Sequence, residues 1–286
     1  MLKRIATAAI LIPIVVLVVY WGPSWLVAAL AAVVGLLAMF EFFKLTSQMG
    51  LRAFRLWTMI CAVGLFFVQW TSGAAEVHTL GANTLLIQGL PSDYASIEAV
   101  FLTFLFGTAC IAVLGKIALA DLLPGICASA AAFLFVALPF SYVARMDGAR
   151  SGPVLVLFAL VVVWAGDTVA YFVGKSIGRL KMAPALSPKK TWEGAAGNVL
   201  GSLIVGYCFA RWQNGDWVAW LATAALANIA GQVGDLVESA YKRGAGVKDS
   251  GAMLPGHGGM LDRIDSLIFA APVVWLAAGW LLQNRP

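Results

Sequence analysis

Residues 231–266 read GQVGDLVESAYKRGAGVKDSGAMLPGHGGMLDRIDS and lead from one apolar segment, through a glycine-rich loop, into another. Only 12% of the residues in the chain are charged, so a dense group of titratable side chains needs a physical cause. The members of this group are Asp235, Glu238, Lys242, Arg243, Lys248, Asp249, His257, Asp262, Arg263 and Asp265.

Polar side chains in the segment that enters this loop share one helical face. Steps of four, three, four and three residues separate Asn228, Gln232, Asp235, Ser239 and Lys242, and this is helical spacing. Polar groups are costly at membrane depth, so the face is predicted to meet protein or a water-filled cavity. Asp262 and Asp265, three residues apart, share a face where the next helix begins.

Carboxylates at the same end of two helices suit a hard cation such as Mg²⁺, since no Cys or His cluster accompanies them. Metal ions together with basic side chains are typical of phosphoryl and nucleotidyl transfer. Glycines such as Gly256, Gly258 and Gly259 would let backbone N–H groups approach phosphate oxygens. The alternative, an ordinary basic cytosolic loop, leaves the carboxylates on apolar helices unexplained.

Composition indicates a polytopic membrane protein. Hydrophobic residues make up 61% of the 286 residues, well above the roughly 45–50% of a soluble domain. The apolar run after the opening MLKR continues to about residue 20 without a cleavage pattern, so we expect a retained first helix. The four cysteines lie singly in apolar runs and indicate packing rather than disulfides or zinc.

About nine segments approach the roughly 20 residues that a spanning helix needs, and the predicted fold class is an all-α membrane protein. Residues 72–96 are predicted to form an external loop or surface helix. The predicted spans are 5–21, 24–43, 56–71, 97–115, 122–142, 152–173, 194–211, 216–239 and 264–282.

The distribution of basic residues predicts the orientation. With a cytosolic amino terminus, 15 of the 19 Lys and Arg residues lie at the inner ends of the spans, as the positive-inside rule requires. With nine spans the carboxyl terminus is external, and loops 174–193 and 240–263 face the cytosol. The net charge of +5 is explained by this topology and by contact with anionic lipid or substrate, because no nucleic-acid motif is present.

Residues 152–193 form a second chemical element. Asp167, Tyr171 and Lys175 recur every four residues on an apolar helix, so Asp167 is predicted to point into the bundle, either as a wall of the active site or as a structural partner of a basic residue. The loop after this helix is predicted to carry phosphate ligands, with an anionic-lipid contact as the alternative. Thr191 is suited to cap the next helix and Glu193 to its first turn. The candidate ligands are Ser187, Lys189, Lys190, Thr191 and Glu193.

Small residues fill the following span, where Gly197 and Gly201 form a GxxxG step. Such a step permits close helix contact, either in a dimer seam or within the chain.

We divide the chain at residue 150. Residues 1–150 are predicted to form a lipid-facing wall or a subunit contact, with Glu41 as their most unusual charge. Residues 151–286 are predicted to form the catalytic domain.

These residues resemble the signature of the phosphatidate cytidylyltransferase family, also called CDP-diglyceride synthases. The similarity covers roughly residues 160–270 and includes WAGDTVAY at 164–171 and SPKKTWEG at 187–194. The matching positions of the last loop are Ser239, Lys242, Arg243, Lys248, Asp249, Gly251, Leu254, Pro255, Gly256, His257, Gly258, Gly259, Asp262, Arg263 and Asp265.

The resemblance implies transfer of the cytidylyl group of CTP to phosphatidate, giving CDP-diacylglycerol and pyrophosphate, at the cytosolic face of a bacterial inner membrane. A phosphate monoester is largely ionised at neutral pH, so no strong general base is required. Membrane lipids are the other expected partners, and a homodimer is left open.

Specific roles follow for the acidic and basic residues. One or two Mg²⁺ ions are expected at Asp235 and Asp262, with Asp167, Asp249 and Asp265 as further ligands and a monovalent cation left open. Lys242, Arg243, Lys248 and Arg263 would bind phosphates. His257 is either structural or a donor to the leaving pyrophosphate, and Ser239 is a candidate substrate ligand.

Two other functions are compatible with this pattern. A CTP-dependent transferase for another lipid acceptor, such as an ether lipid or a polyprenol, would share the nucleotide site. An ion-coupled transporter would also place carboxylates within the membrane, but here the charges concentrate at one face without an inverted repeat.

Overall fold

The computed structural model describes residues 2–80, 92–115, 117–149, 151–251, 253 and 258–282. Helices account for nearly all of its regular structure. Contacts divide the chain into two compact units, Met1–Pro153 with Ala245–Leu261, and Val154–Gly244 with Asp262–Pro286. The sequence-based boundary at residue 150 lies close to this division, but residues 245–261 belong with the amino-terminal helices.

Each of the predicted spans coincides with helix in the described part of the chain. The bounds are α1 Leu2–Trp21, α2 Ser24–Gln48, α3 Arg55–Leu80, α4 Ser92–Leu114, α5 Leu119–Ala132, α6 Leu138–Gly148, α7 Gly152–Ser176, α8 Trp192–Gln213, α9 Trp217–Gly244 and α10 Leu261–Leu282. A π-helical turn, Phe133–Ala137, joins α5 to α6.

Five helical segments are long and apolar enough to cross a membrane in the described part of the chain. They are Ser24–Gln48, Arg55–Gly73, Ser96–Leu114, Leu119–Gly148 and Gly152–Ser176. A bilayer core needs about 20 helical residues, and the five segments have 19 to 30. The chain is therefore an integral membrane protein.

The region between the third and fourth helices differs in part from its prediction as a loop or surface helix. Helix α3 continues to Leu80, beyond the predicted end of the span at residue 71, and α4 begins at Ser92. Residues 81–91 of the predicted loop lie outside the described residues.

The first unit is built around α2, α3 and the helix that runs from α5 through the π turn to α6. Phe43 and Phe133 are fully buried, and Phe104 of α4 stacks on Phe133 with ring centroids 4.5 Å apart. The π turn ends just before Pro139. Proline lacks the N–H that an α-helix needs at an interior position, and a π turn is a local adjustment that keeps such a helix continuous.

Small residues let the helices of the second unit approach closely. A Cβ at Gly197 would lie 2.8 Å from Val173 of α7, and one at Gly201 2.9 Å from Val169. The GxxxG step therefore packs α8 against α7 of the same chain, which decides between the two roles left open above. Farther along, Trp220 of α9 is fully buried and meets Phe158 edge-on at 4.8 Å.

A β-hairpin in residues 174–193 corrects the all-α prediction. Strand β1, Lys181–Ala183, pairs antiparallel with β2, Ser187–Thr191. The N–H of Leu186 donates to the carbonyl of Ala183 at 3.1 Å, which closes a β-turn with Pro184 at its second position, where proline is favoured. The strands are too short to stand out from the basic loop in the sequence.

Candidate active site

One face of α9 presents its polar side chains to the protein interior, as its spacing predicted. Asn228 and Ser239 are buried, and Gln232 and Asp235 line a cavity of about 520 Å³. The Ser239 hydroxyl lies 3.5 Å from Oδ1 of Asp235, one turn away. These residues therefore face protein or a cavity, as predicted, and their orientation relative to lipid stays a prediction.

Three carboxylates meet at the carboxy-terminal part of α9. Asp235 and Glu238 of α9 and Asp265 of α10 each offer an oxygen within 4.8 Å of the others. The grouping brings together two residues predicted as metal ligands, Asp235 and Asp265. It also contains Glu238, for which the sequence reading assigned no role, although its position three residues after Asp235 indicated a shared helical face.

Two lysines neutralise part of this negative charge. Lys190 Nζ lies 2.6 Å from Oδ2 of Asp235, and Lys242 Nζ lies 2.6 Å from Oδ1 of Asp262. Lys242 also pairs with Glu238. Burial lowers the pKa of Lys242, but its hydrogen bonds to Asp262 and Glu238 outweigh that effect, so its pKa lies above its usual value. Lys242 therefore stays cationic at neutral pH.

The donor set fits a divalent cation that prefers oxygen ligands. Mg²⁺ binds oxygens at about 2.1 Å, so two ligands of one ion lie roughly 3–4 Å apart, and the three carboxylates are spaced near this range. Oε1 of Glu238 is buried without a hydrogen-bond partner among the described residues. A buried carboxylate oxygen without a donor is costly, and a cation at this position would satisfy it.

Asp167 of α7 lies at the start of a chain of amide side chains. Its Oδ1 accepts a hydrogen bond from Asn198 of α8 at 3.2 Å. Asn228 of α9 donates to Asn198, and Gln232 donates to Asn228 at 2.8 Å. These uncharged amide side chains therefore hold the Asp167 carboxylate in place.

Glycine at 166 makes room for this chain of amides. A Cβ there would lie 2.0 Å from Oδ1 of Asn198 and 2.5 Å from Nδ2 of Asn228. The approach of α7 to α8 and α9 at this level therefore depends on the missing side chain.

Residues 152–193, the second chemical element, line the cavity together with residues of α9. Asp167, Tyr171 and Lys175 all line it, which confirms that they share a face. Within the described residues Asp167 forms no ion pair with Lys175, whose ammonium lies 5.8 Å from the centroid of the Tyr171 ring. Asp167 is thus a wall of the cavity, not the partner of that lysine.

The hairpin contributes three of the predicted phosphate ligands to the cavity lining, Lys189, Lys190 and Thr191. Thr191 also caps α8, since its Oγ1 accepts from the N–H of Gly194 at 3.1 Å, as predicted. Arg243 of α9 donates from Nε to the carbonyl oxygen of Leu186 at the hairpin tip, at 3.1 Å.

Two other residues of this loop lie outside the cavity lining. Ser187 pairs with Ala183 in the hairpin. Glu193 accepts hydrogen bonds from the N–H of Leu180 at 3.2 and 3.3 Å. Backbone N–H groups of Glu193 itself and of Leu180 lower the pKa of the Glu193 carboxyl. Binding of substrate by Ser187 and Glu193 stays a prediction.

The remaining candidates lie in and beside the last loop. Lys248 and Asp249 are exposed residues of the first unit. Gly258 of the same unit has a φ of 82°, a backbone conformation that favours glycine, and Gly259 is buried. Arg263 is exposed at the start of α10. Gly256 and His257 lie outside the described residues, so their roles stay predictions.

The second unit thus offers a cavity lined by both basic and acidic side chains, and two of these, Lys190 and Asp235, form an ion pair. Asp235 belongs to both the cavity lining and the three-carboxylate group. Lysines bind phosphate oxygens, and grouped carboxylates bind the cations that accompany phosphates. The arrangement is suited to a substrate that carries several phosphates.

Comparison with known proteins agrees with this chemistry. A phosphatidate cytidylyltransferase of Staphylococcus haemolyticus is 43% identical to the chain over 151 residues. Proteins of the same name from Staphylococcus epidermidis and Staphylococcus aureus are 42% and 41% identical. The aligned part is 52% of this chain and 56% of each relative, so it spans little more than half of their length.

A family model matches far more of the chain than these pairwise alignments do. The model of the cytidylyltransferase family matches residues 2–280, which include both units and nearly every described residue. The chain belongs to the cytidylyltransferase family.

Proposed function

We propose that the protein transfers the cytidylyl group of CTP to phosphatidate, releasing pyrophosphate and forming CDP-diacylglycerol. The observation that carries this proposal is the cavity of the second unit, whose lining includes Lys189 and Lys190 together with Asp167 and Asp235. The relatives named phosphatidate cytidylyltransferase support phosphatidate as the acceptor. The family supports CTP as the donor.

The reaction joins two anions, so charge neutralisation is the main requirement. A lipid phosphate oxygen attacks the α-phosphorus of CTP, and the bond from that phosphorus to the bridging oxygen of pyrophosphate breaks. The second pKa of a phosphate monoester is about 6, so the attacking oxygen is already ionised at neutral pH. Lys189 and Lys190 line the cavity and would bind the triphosphate, and Lys242, Arg243, Lys248 and Arg263 are further phosphate ligands in this proposal.

Carboxylates of the site would hold one or two Mg²⁺ ions, which when bound neutralise phosphate charge and stabilise the charge that develops during transfer. Asp235 and Asp262 are proposed as ligands, with Asp167, Asp249 and Asp265 as further ones. The position of Glu238 within the three-carboxylate group supports adding it to this set. Before substrate binds, Lys190 pairs with Asp235 and Lys242 pairs with Asp262.

The proposed setting is the inner membrane of a bacterium, with nine spans and the amino terminus in the cytosol. The excess of basic residues at the predicted inner ends supports this orientation. Both loops of the candidate site would then face the compartment that contains CTP. A homodimer is compatible with this proposal, although the GxxxG step is used within the chain.

Pyrophosphate release by the purified protein tests the function. With CTP, phosphatidate and Mg²⁺ we expect turnover that EDTA stops and that added Mg²⁺ restores. The other nucleoside triphosphates should support little release. An ether lipid or a polyprenol as the better acceptor would overturn phosphatidate as the substrate, and transport by vesicles without pyrophosphate release would overturn the transfer reaction.

Two charge-removing variants test the site. Asp235→Asn and Asp262→Asn should each lower turnover by about a hundredfold or more, because each removes a carboxylate from the proposed metal and phosphate site. Asp216→Asn is the matched control, since Asp216 is exposed and its side chain accepts a hydrogen bond from the N–H of Val218, which an asparagine can also accept. Near-normal turnover in the first two variants would rule out the assignment.

A further inference from the structure

A buried carboxylate of the amino-terminal half takes no part in the site described above. Glu41 of α2 is only 1% exposed. Its Oε2 accepts hydrogen bonds from Ser250 Oγ at 3.0 Å and from the backbone N–H of Leu261 at 2.9 Å. Both donors belong to residues 245–261, which group with the first unit. Glu41 therefore fastens a loop whose residue 250 lies 209 positions farther along the chain.

The loop has glycine where it passes the Glu41 carboxylate. A Cβ at Gly259 would lie 2.3 Å from Oε2 of Glu41. The three atoms nearest to a Cβ at Gly251 all belong to Glu41, and Oε1 is the closest of them at 2.3 Å. Contact with Glu41 thus gives a reason for these two glycines that is independent of any phosphate.

The groups that donate these two hydrogen bonds to Glu41 need an acceptor. Leu261 is the first residue of α10, and the N–H groups of the first helical turn have no acceptor inside their own helix. Leu261 is buried, so without Glu41 its N–H would lose the acceptor that it has among the described residues, and an unpaired buried donor is costly. The carboxylate therefore fixes both Ser250 and the end of the loop.

We propose that Glu41 is a positioning residue for cytidylyl transfer: it holds the described parts of the loop, residues 245–251 and 258–261, and with them Lys248 and Asp249, in the conformation that the reaction requires. The inference rests on the proposed function. Glu41 acts through Ser250 and Leu261. A residue of the amino-terminal helices, which the sequence predicts to form a lipid-facing wall or a subunit contact, thus contributes to the reaction.

Substitutions at Glu41 separate positioning from general stability. Glu41→Ala should lower kcat per folded molecule about tenfold, because a buried donor loses its acceptor. Glu41→Gln should recover most of that loss, since one amide oxygen can accept both hydrogen bonds. Glu98→Ala is the matched control, because Glu98 is an exposed carboxylate of the same unit. A purely structural role would reduce the amount of folded protein and leave kcat per folded molecule unchanged.

A double variant tests the contact with Gly251. Gly251→Ala alone should lower kcat about as much as Glu41→Ala, because its Cβ collides with the Glu41 carboxylate. In the Glu41→Ala background the same change should cost little more, since the colliding atoms are gone. Coupling of this kind is expected only of residues in contact. Losses that simply add would overturn the proposal.

Limited trypsin digestion of the full-length protein gives a readout that does not depend on activity. Lys248 is exposed in the loop. Trypsin cleavage after Lys248 should become about tenfold faster in Glu41→Ala, because the loop loses a buried hydrogen bond to Glu41. Wild-type protein that releases no pyrophosphate would overturn the proposed function, while the digestion still reports whether Glu41 holds the loop. Unchanged kcat in Glu41→Ala, or unchanged cleavage, overturns the positioning role.

Discussion

At the scale of single residues, the structure separates two acids that the sequence treats alike. Asp262 and Asp265 begin α10 on one face, yet only Asp265 joins Asp235 and Glu238 in the three-carboxylate group. Asp262 pairs with Lys242 instead. Glu238 therefore joins the candidate ligands of the proposed metal site, a role that its sequence context did not indicate.

Replacing Glu238 should therefore change the Mg²⁺ dependence of the reaction. Glu238→Gln keeps the size of the side chain and removes its charge. We expect the Mg²⁺ concentration for half-maximal pyrophosphate release to rise about tenfold or more, the loss typical of a weakened metal site. A titration with Mg²⁺ at saturating CTP measures the shift, and Asp216→Asn is again the control. An unchanged titration would remove Glu238 from the ligand set.

The sequence predicted the residues of α9 and α7 well because their polar side chains recur at helical spacing in apolar surroundings. Asn228, Gln232 and Asp235 were expected to face the interior, and they do. Asn198 of the amide chain was missed, because it stands alone among small residues of α8 and no periodic pattern includes it. Its partners come from α7 and α9, and such contacts are decided by packing.

At the scale of elements, the amide chain ties three helices together at the level of Gly166. Asn198, Asn228 and Gln232 each use a donor on the next polar group in line. A network of this kind is stable only when its members are satisfied. The close approach of α7 to α8 and α9 therefore affects both the stability of the protein and the position of Asp167.

The substitution Gly166→Ala should disturb this network. Its Cβ would meet Asn198 Oδ1 at 2.0 Å, so either α7 moves or the amide chain breaks. We expect a loss of about 1–3 kcal/mol in stability, as for other overpacked positions, with a lowered kcat. Thermal unfolding in detergent and pyrophosphate release measure the two effects.

The control for this substitution is Gly279→Ala in α10. A Cβ at Gly279 has no atom of the described residues within 4 Å, and alanine is the better helix former. This variant should unfold at the wild-type temperature or slightly above it. Equal thermal stability of the Gly166→Ala and Gly279→Ala proteins would contradict the steric argument.

The hairpin shows where reading elements from the sequence fails. The basic residues of the loop and Thr191 as a cap were predicted from their types and positions. The two strands have three and five residues, too few for an alternating pattern to be recognised. They are stabilised by pairing with each other and by Arg243 from α9, a contact between residues distant in the sequence.

At the scale of the whole molecule, hydropathy predicted where the helices lie, and the structure places helix at every predicted span that it describes. Five helical segments of the described chain are long and apolar enough to cross a membrane, and such segments are recognisable because a bilayer demands long apolar stretches. The grouping of residues 245–261 with the amino-terminal helices was not predictable from sequence. Its contacts include those of Glu41 with Ser250 and Leu261, and Glu41 is an isolated charge with no pattern that points to its partners.

The proposed orientation is open to direct measurement by cysteine labelling. In a variant with its four cysteines replaced, Lys248→Cys should react with a membrane-impermeant maleimide only after the cells are permeabilised. Asn214→Cys, between α8 and α9, should react in intact cells. Both positions are exposed, so access depends on the side of the membrane. The reverse pattern would place the candidate site outside the cytosol.

Arg243 contacts the hairpin tip through the backbone of Leu186. Its guanidinium binds the carbonyl oxygen of Leu186, a group that every amino acid supplies. Exchanges at position 186 among family members should therefore be tolerated so long as the turn at Pro184 keeps its shape. The identity of residue 243, by contrast, is constrained, because a lysine has no planar Nε–H to donate in the same direction.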